Sequence, residues 1–194
     1  MRDGVCLAAY SAHCQKGWYR ENGISSLEDE IFAYEEKMGV TVRRATISDL
    51  DTLTRLWKEL ADYHADLAPE FALVPQATTL FSIHLSDLVQ NQDCCILLAE
   101  DEGTAVGFIS GMIKENPPIF TERRIGHISN ALITARLRRR GIGARLVSAM
   151  RDWFRERGVR SIDLGVAVAN PLGIEFWHDM GFHDHMTRMR GEVK

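Results

Sequence analysis

The 194-residue chain has little of what would mark it for a membrane, a disulfide framework or a polyanion. No apolar segment approaches the roughly 20 residues that cross a bilayer, and the first residues lack the charged-then-apolar order of a secretory leader. A soluble, cytoplasmic protein with no membrane partner is therefore expected. Cysteine is scarce: Cys6, Cys14, Cys94 and Cys95 are all there are. Their spacing holds no zinc-type pair, and Cys94 and Cys95, adjacent in a predicted strand, point to opposite faces, so reduced thiols and no metal site are expected. A basic excess is missing too. The formal net charge of −4 argues against a nucleic-acid partner, despite the run Arg136, Arg138, Arg139, Arg140 and Arg145. What is left is a globular composition, 45% apolar and 26% charged, too short for two ordinary domains and ample for one buried core.

The most informative stretch is Arg138-Arg139-Arg140-Gly141-Ile142-Gly143-Ala144. It joins a predicted strand, His127 to Thr134, to a predicted helix running to about Gly158. Gly141 and Gly143 carry no Cβ, so the chain can turn tightly while backbone N–H groups converge on an anion at the positive end of the helix dipole. The arginines add charge and forked donors suited to phosphate oxygens. Neither common nucleotide fingerprint is present: the Walker lysine is absent, and no third glycine stands at dinucleotide spacing.

This loop resembles the cofactor loop of the GNAT superfamily of acyl-CoA-dependent N-acyltransferases, Arg/Gln-x-x-Gly-x-Gly/Ala, through Arg138, Gly141 and Gly143. A second signature of that family is met by Asn170, Gly173, Phe176-Trp177 and Gly181-Phe182, in the expected order after a helix-length segment and an apolar strand. The resemblance covers Val40 to about Arg190. It implies an α/β (α+β) GNAT fold: a central, mostly antiparallel mixed sheet of six to seven strands flanked by about four helices and splayed between the fourth and fifth strands. The expected organisation is an N-terminal extension over 1–39 and a GNAT N-acetyltransferase domain over 40–191. The implied cofactor is acetyl-CoA, and a homodimer is compatible with the family's habits.

The elements read off the chain agree. Ser25 and Glu28, at capping-box spacing, start a short amphipathic helix over about Ser26 to Lys37, packed on its own domain, packed on another subunit, or left as a linker from a larger fusion. Val40 to Thr46 alternates as a strand, and Ser48 with Asp51 caps a helix whose Leu50, Leu53, Leu56 and Leu60 face a core. A second helix is expected from about Thr78 to Gln90. Cys94 to Glu100 and Thr104 to Lys114 form a hairpin across Asp101-Glu102-Gly103, and Asn116-Pro117-Pro118 opens a loop of about six residues. Ser161 to Val168 reads as a strong apolar strand, with a helix starting at Asn170-Pro171.

The resemblance also assigns roles. Leu132, Ile133 and Thr134 fall where the pantetheine arm lies along the central strand, and a backbone N–H near Leu132 faces the oxyanion. Arg138, Arg139, Arg140, Gly141, Ile142, Gly143 and Ala144 hold the phosphates, and Asn170, Gly173, Phe176 and Trp177 border the cofactor arm. Leu132 or Ile133 is sheet core in any case, and Asn170 is equally a helix-start residue. Attack of an amine on a thioester requires loss of a proton from nitrogen, because alkylamines with pKa near 10 are protonated at pH 7. His127, eleven residues before Arg138, stands where family members place a strand-borne carboxylate base, and imidazole accepts a proton at neutral pH. Ser129 or Asn130 holds a water beside it; in a regular strand the two point to opposite faces and His127 shares its face with Ser129. Trp177 departs from the family pattern, since many members carry there a tyrosine that protonates the leaving thiolate, and indole N–H is no such acid. Trp57, Tyr63, His64 and Glu70, with Asp66 and Phe71, are candidates for the acceptor pocket; Asp66 and Glu70 also fit a solvated helix face. The activity implied is acetyl transfer from acetyl-CoA to a primary amine by direct attack in a ternary complex, the alternative being an acyl-CoA-binding sensor without turnover.

Overall fold

In the computed structural model, residues 39–193 are described; the helix expected over about Ser26 to Lys37 lies outside them. Alternating residues Val40–Arg44 form strand β1. The chain then turns through a 3₁₀ segment in which the Asp49 carboxylate accepts from the Thr46 backbone N–H (2.8 Å) and hydroxyl (3.0 Å). Helix α1, Leu50–Leu67, buries Leu53, Leu56, Leu60 and Ala61. This start differs from the expected one: Ser48 bonds the Thr46 hydroxyl, and Asp49 closes a capping box with Thr46 around the 3₁₀ turn while Arg43 holds its carboxylate at 2.7 Å. The arrest of α1 before Pro69 is as expected, since a residue preceding proline is pushed out of the helical region. Helix α2 follows at Ala77–Gln90.

Strands β2, Cys94–Asp101, and β3, Thr104–Glu115, pair antiparallel across Glu102-Gly103, both at positive φ (49° and 77°). Strand β4, Arg124–Ile133, returns antiparallel to β3, and β5, Ile162–Leu164, joins β4 in parallel. The sheet order is β1-β2-β3-β4-β5. Helix α3, Ile142–Glu156, separates β4 from β5, and α4, Pro171–Asp179, follows β5. On one face Phe108 and Leu132 pack with Leu53, Leu56, Leu60 and Leu85 of α1 and α2. On the other, Gly111 and Gly126 bring the backbone against Phe154 of α3, where a Cβ would lie 3.0 Å and 2.8 Å from its ring. Coverage of both faces explains why every residue from Cys94 to Ala99 is buried, Cys94 and Cys95 included.

Two expectations are corrected. The described residues contain five strands, not six or seven, because Gly181 to Val193 is exposed except for Phe182 and offers no apolar alternation to bury in a further strand. Strand β5 is three residues long instead of Ser161 to Val168, because its ladder with β4 ends at Ile128↔Leu164. Beyond that pair β4 runs on to Ile133 without a β5 partner, so the sheet splays between its fourth and fifth strands as expected. Among the described residues no helix is long and apolar enough to cross a membrane.

Candidate active site

The open edge of β4 leads straight into the glycine loop. After a 3₁₀ turn at Ala135–Leu137 the chain passes through two positive-φ residues, Arg139 (61°) and Gly141 (78°), the second being the N-cap of α3. Intrahelical bonding starts with the Arg145 N–H to the Gly141 carbonyl at 3.1 Å. The N–H groups of Ile142, Gly143 and Ala144 therefore have no helical acceptor, and they form the donor end of the α3 dipole. Gly143 is required by its neighbour, since a Cβ would lie 3.0 Å from the Phe176 ring. Arg138 turns back to donate from Nε to the Ile133 carbonyl at 3.0 Å, whereas Arg139 and Arg140 are exposed. At the end of β4 the Thr134 hydroxyl is buried without a hydrogen-bond partner.

The register of β4 decides which side chains share its face. Ser110 pairs with Asn130 and the next residue, Gly111, with Ile128, so Ser129 drops out of the ladder as a bulge. The alternation flips there. Gly126, before the bulge, faces α3, while Leu132, after it, faces α1 and α2 although both positions are even. His127 and Asn130 consequently share the α1/α2 face, and the regular-strand pairing of His127 with Ser129 is corrected. The Asn130 Nδ2 donates to the buried Ser110 hydroxyl at 3.0 Å.

His127, opposite Asp163 in the β4–β5 ladder, hydrogen-bonds the Asp163 carboxylate through Nδ1. A carboxylate on Nδ1 fixes the tautomer that leaves Nε2 with its lone pair. The imidazole side chain is 23% exposed, so that nitrogen is within reach of a ligand in the splay. Asp163 and Ser110 are absent from the sequence-derived site. Asp163 lies 36 residues from His127, and only the parallel pairing of β5 with β4 brings them together; no local spacing carries that signal.

On the far side of the splay Asn170 caps α4, accepting from the Gly173 N–H at 3.0 Å, and its Oδ1 also accepts from the Tyr63 hydroxyl at 3.0 Å. A Cβ at Gly173 would lie 2.6 Å from the Asn170 amide nitrogen, so the glycine makes room for the cap. The Arg138 guanidinium sits 5.5 Å from the Tyr63 ring centroid. Trp177 is buried and packs edge-on against Phe176 and Phe182, with centroids 5.0 and 5.2 Å away. The remaining acceptor candidates are spread out. The Trp57 ring stacks on Phe81 of α2 at 3.8 Å; His64 packs against Phe71 and is kept neutral by burial, which lowers its pKa; Glu70 is exposed.

No group of three or more metal-ligating side chains occurs among the described residues. A cavity of about 320 Å³ contains none of the site residues and is lined by Arg44, Gln90, Asn91, Asp93, Arg124 and Arg157. Its arginines donate to the carbonyls of Cys94, Arg157 and Trp153, so they serve as caps for strand and helix ends.

The fold is shared with known proteins. Over 97 residues the chain is 28% identical to an uncharacterised N-acetyltransferase of Methanocaldococcus jannaschii, a match taking in 50% of this chain and 42% of that protein. The chain thus spans less than half the length of this curated relative. In fold it is similar to the BH1408 protein of Bacillus halodurans, solved as a tetramutant, with a TM-score of 0.72 and 20% identity over 79% of this chain and 99% of that one. It is similar also to an aminoglycoside N-acetyltransferase solved in complex with CoA, with a TM-score of 0.64 and 15% identity over 80% and 95% of the two chains. Residues 54–182, about two thirds of the length, match the model of the acetyltransferase (GNAT) family. That stretch begins inside α1 and ends at Phe182, so it takes in the bulged strand, the glycine loop, the splay and the Asn170 cap together: the chain belongs to the acetyltransferase (GNAT) family.

Proposed function

We propose that the protein moves an acetyl group from acetyl-CoA to a primary amine by direct attack within a ternary complex. One observation carries the reading: the unpaired edge of β4 leads, through one 3₁₀ turn and the arginine run, to the donor-rich start of α3, so a ligand with an amide-bearing arm and a pyrophosphate is offered an added-strand site followed by an anion cradle. The residues fit such a donor substrate. Ser129 to Ile133 present backbone groups with no β5 partner, Thr134 holds a buried hydroxyl without a partner, and Gly141 leaves open space beside the first turn of α3. Arg139 and Arg140 supply charge at the same point.

The chain's own groups then divide the work. His127, oriented by Asp163, takes the proton that the amine must lose, on the face of β4 covered by α1 and α2. Asn130 and Ser110, hydrogen-bonded to each other on that face, hold its polar lining in place. Asn170 positions the start of α4 against the open edge. The acceptor is a small-molecule or peptide amine; the structural neighbour solved with CoA is by its name an aminoglycoside N-acetyltransferase, which makes amino sugars the first amines to screen.

The test is calorimetric titration of acetyl-CoA into the full chain and into an Arg139→Glu, Arg140→Glu variant, two exposed positions whose reversal spares the core. Binding that weakens at least tenfold in the variant, with thiol release in the presence of an amine, supports the reading. Binding without thiol release from any amine favours an acyl-CoA sensor, and no binding by the wild type removes both.

A further inference from the structure

We propose that Tyr63, delivered from α1, is the acid that protonates the departing CoA thiolate, a catalytic role that the residue at position 177 is unable to fill here; this rests on the acetyltransferase reading above. Trp177 is a donor without acidity, buried against Phe176 and Phe182. His178, next to it, is engaged with Asp184 at 3.0 Å. Tyr63 is the only tyrosine among residues 39–193, so the domain has a single phenol, and that phenol stands at the open end of the splay.

Its placement is set from three sides. The hydroxyl donates to Asn170 Oδ1 at 3.0 Å, tying it to the α4 side. The ring lies beneath the Arg138 guanidinium, 5.5 Å away, while Arg138 Nε holds the Ile133 carbonyl at the end of β4. His64 flanks the ring at 5.9 Å. A side chain from α1 thus joins the cap of α4 to the arginine that holds the end of β4, and on this proposal a ligand arm along the free edge of β4 lies beside its hydroxyl. Arg138 and His64 both face the ring, and burial lowers the pKa of the second.

The step balances without a further reactant. The amine nitrogen bonds to the acetyl carbon, the C–S bond breaks with its electron pair on sulfur, and the Tyr63 hydroxyl turns from Asn170 to give its proton to that sulfur. The phenolate recovers a proton from solvent, while His127 releases the proton taken from the amine. One amine N–H is exchanged for one thiol S–H.

Tyr63→Phe in the full chain keeps the ring beneath Arg138 and removes the acid together with its hydrogen bond to Asn170. We expect acetyl-CoA affinity within about twofold of wild type and kcat lower by about 10²-fold. Fluorotyrosine incorporation at position 63, which changes the acidity of the phenol without altering its contacts, should change kcat and leave acetyl-CoA affinity as it is, and it serves as the test if Tyr63→Phe does not fold. A variant with unchanged kcat overturns the proposal, as does one that loses only cofactor affinity, since the phenol would then position the cofactor without acting as an acid. A wild-type protein that binds acetyl-CoA but transfers acetyl to no amine overturns the acetyltransferase reading itself, a result distinct from turnover that ignores Tyr63.

Discussion

His127 and Asn130 stand on the same face of β4 although they are three positions apart, because Ser129 is left out of the ladder with β3. The bulge turns a strand that would send these two polar groups to opposite layers into one that aims both at the α1/α2 side. It also lets Gly126 lie against Phe154 on one face while Leu132 enters the leucine core on the other. Site and core are therefore coupled through one unpaired residue.

Removing the imidazole should act on chemistry more than on binding. For His127→Ala we expect kcat for acetyl transfer to fall by about 10²–10⁴-fold, with calorimetric acetyl-CoA affinity nearly kept. Asp163→Asn should fall less, because the base remains and only its orientation and tautomer are disturbed. A full rate in His127→Ala would remove the histidine from the mechanism.

How far this site was legible beforehand depends on the range of the contact. The hairpin at Glu102-Gly103, the stop of α1 before Pro69 and the glycine start of α3 are local, and the letters that cause them sit where the structure uses them. The bulge left no trace, because His-Ile-Ser-Asn-Ala-Leu reads as an ordinary strand and only pairing with Ser110 and Gly111 exposes the extra residue. Asp163 was hidden in the same way, by a parallel pairing 36 positions away. Strand β5 was overestimated since apolar content reports what a strand can bury, whereas its length is set by where β4 diverges. Trp57 looks like a pocket residue as a letter, and it is found stacked between two helices.

Acid should weaken the fold through Asp49. Hydrogen bonds from Arg43, then from Thr46, hold its carboxyl well below the usual carboxylate range despite burial. A depressed folded-state value means that the stabilisation is complete above the unfolded-state pKa near 4 and is lost as pH falls below it. Asp49→Asn should therefore cost about 1–2 kcal/mol at pH 7, discounted from a buried pair because the Arg43 side chain is 41% exposed. Urea midpoints of wild type and variant should converge as pH is lowered from 5 toward 3; parallel curves would show that the Arg43–Asp49 pair is not the sensitive element.

Cys94 and Cys95 should resist alkylation while the protein is folded. Burial raises both thiols, Cys95 to about 11, and the thiolate is the reactive form. With iodoacetamide at pH 8, peptide mass spectrometry should find residues 94 and 95 unmodified until denaturant is added. Rapid native labelling at Cys95 would mean that the β2 core opens readily.

Gly107 should be the least tolerant glycine of the sheet. A Cβ there would lie 2.5 Å from the Ile133 Cδ1 and 2.6 Å from the Leu132 carbonyl oxygen. The methyl contact can be relieved by rotating the isoleucine, but the carbonyl is backbone and moves only with β4. Gly107→Ala should then cost about 1–3 kcal/mol and shift the end of β4, the same segment that presents its free edge to the splay. Acetyl-CoA affinity should fall together with the thermal midpoint, whereas Gly103→Ala, at a positive-φ turn with open space around it, should lower stability alone. Equal affinity in the two variants would separate the edge of β4 from cofactor binding.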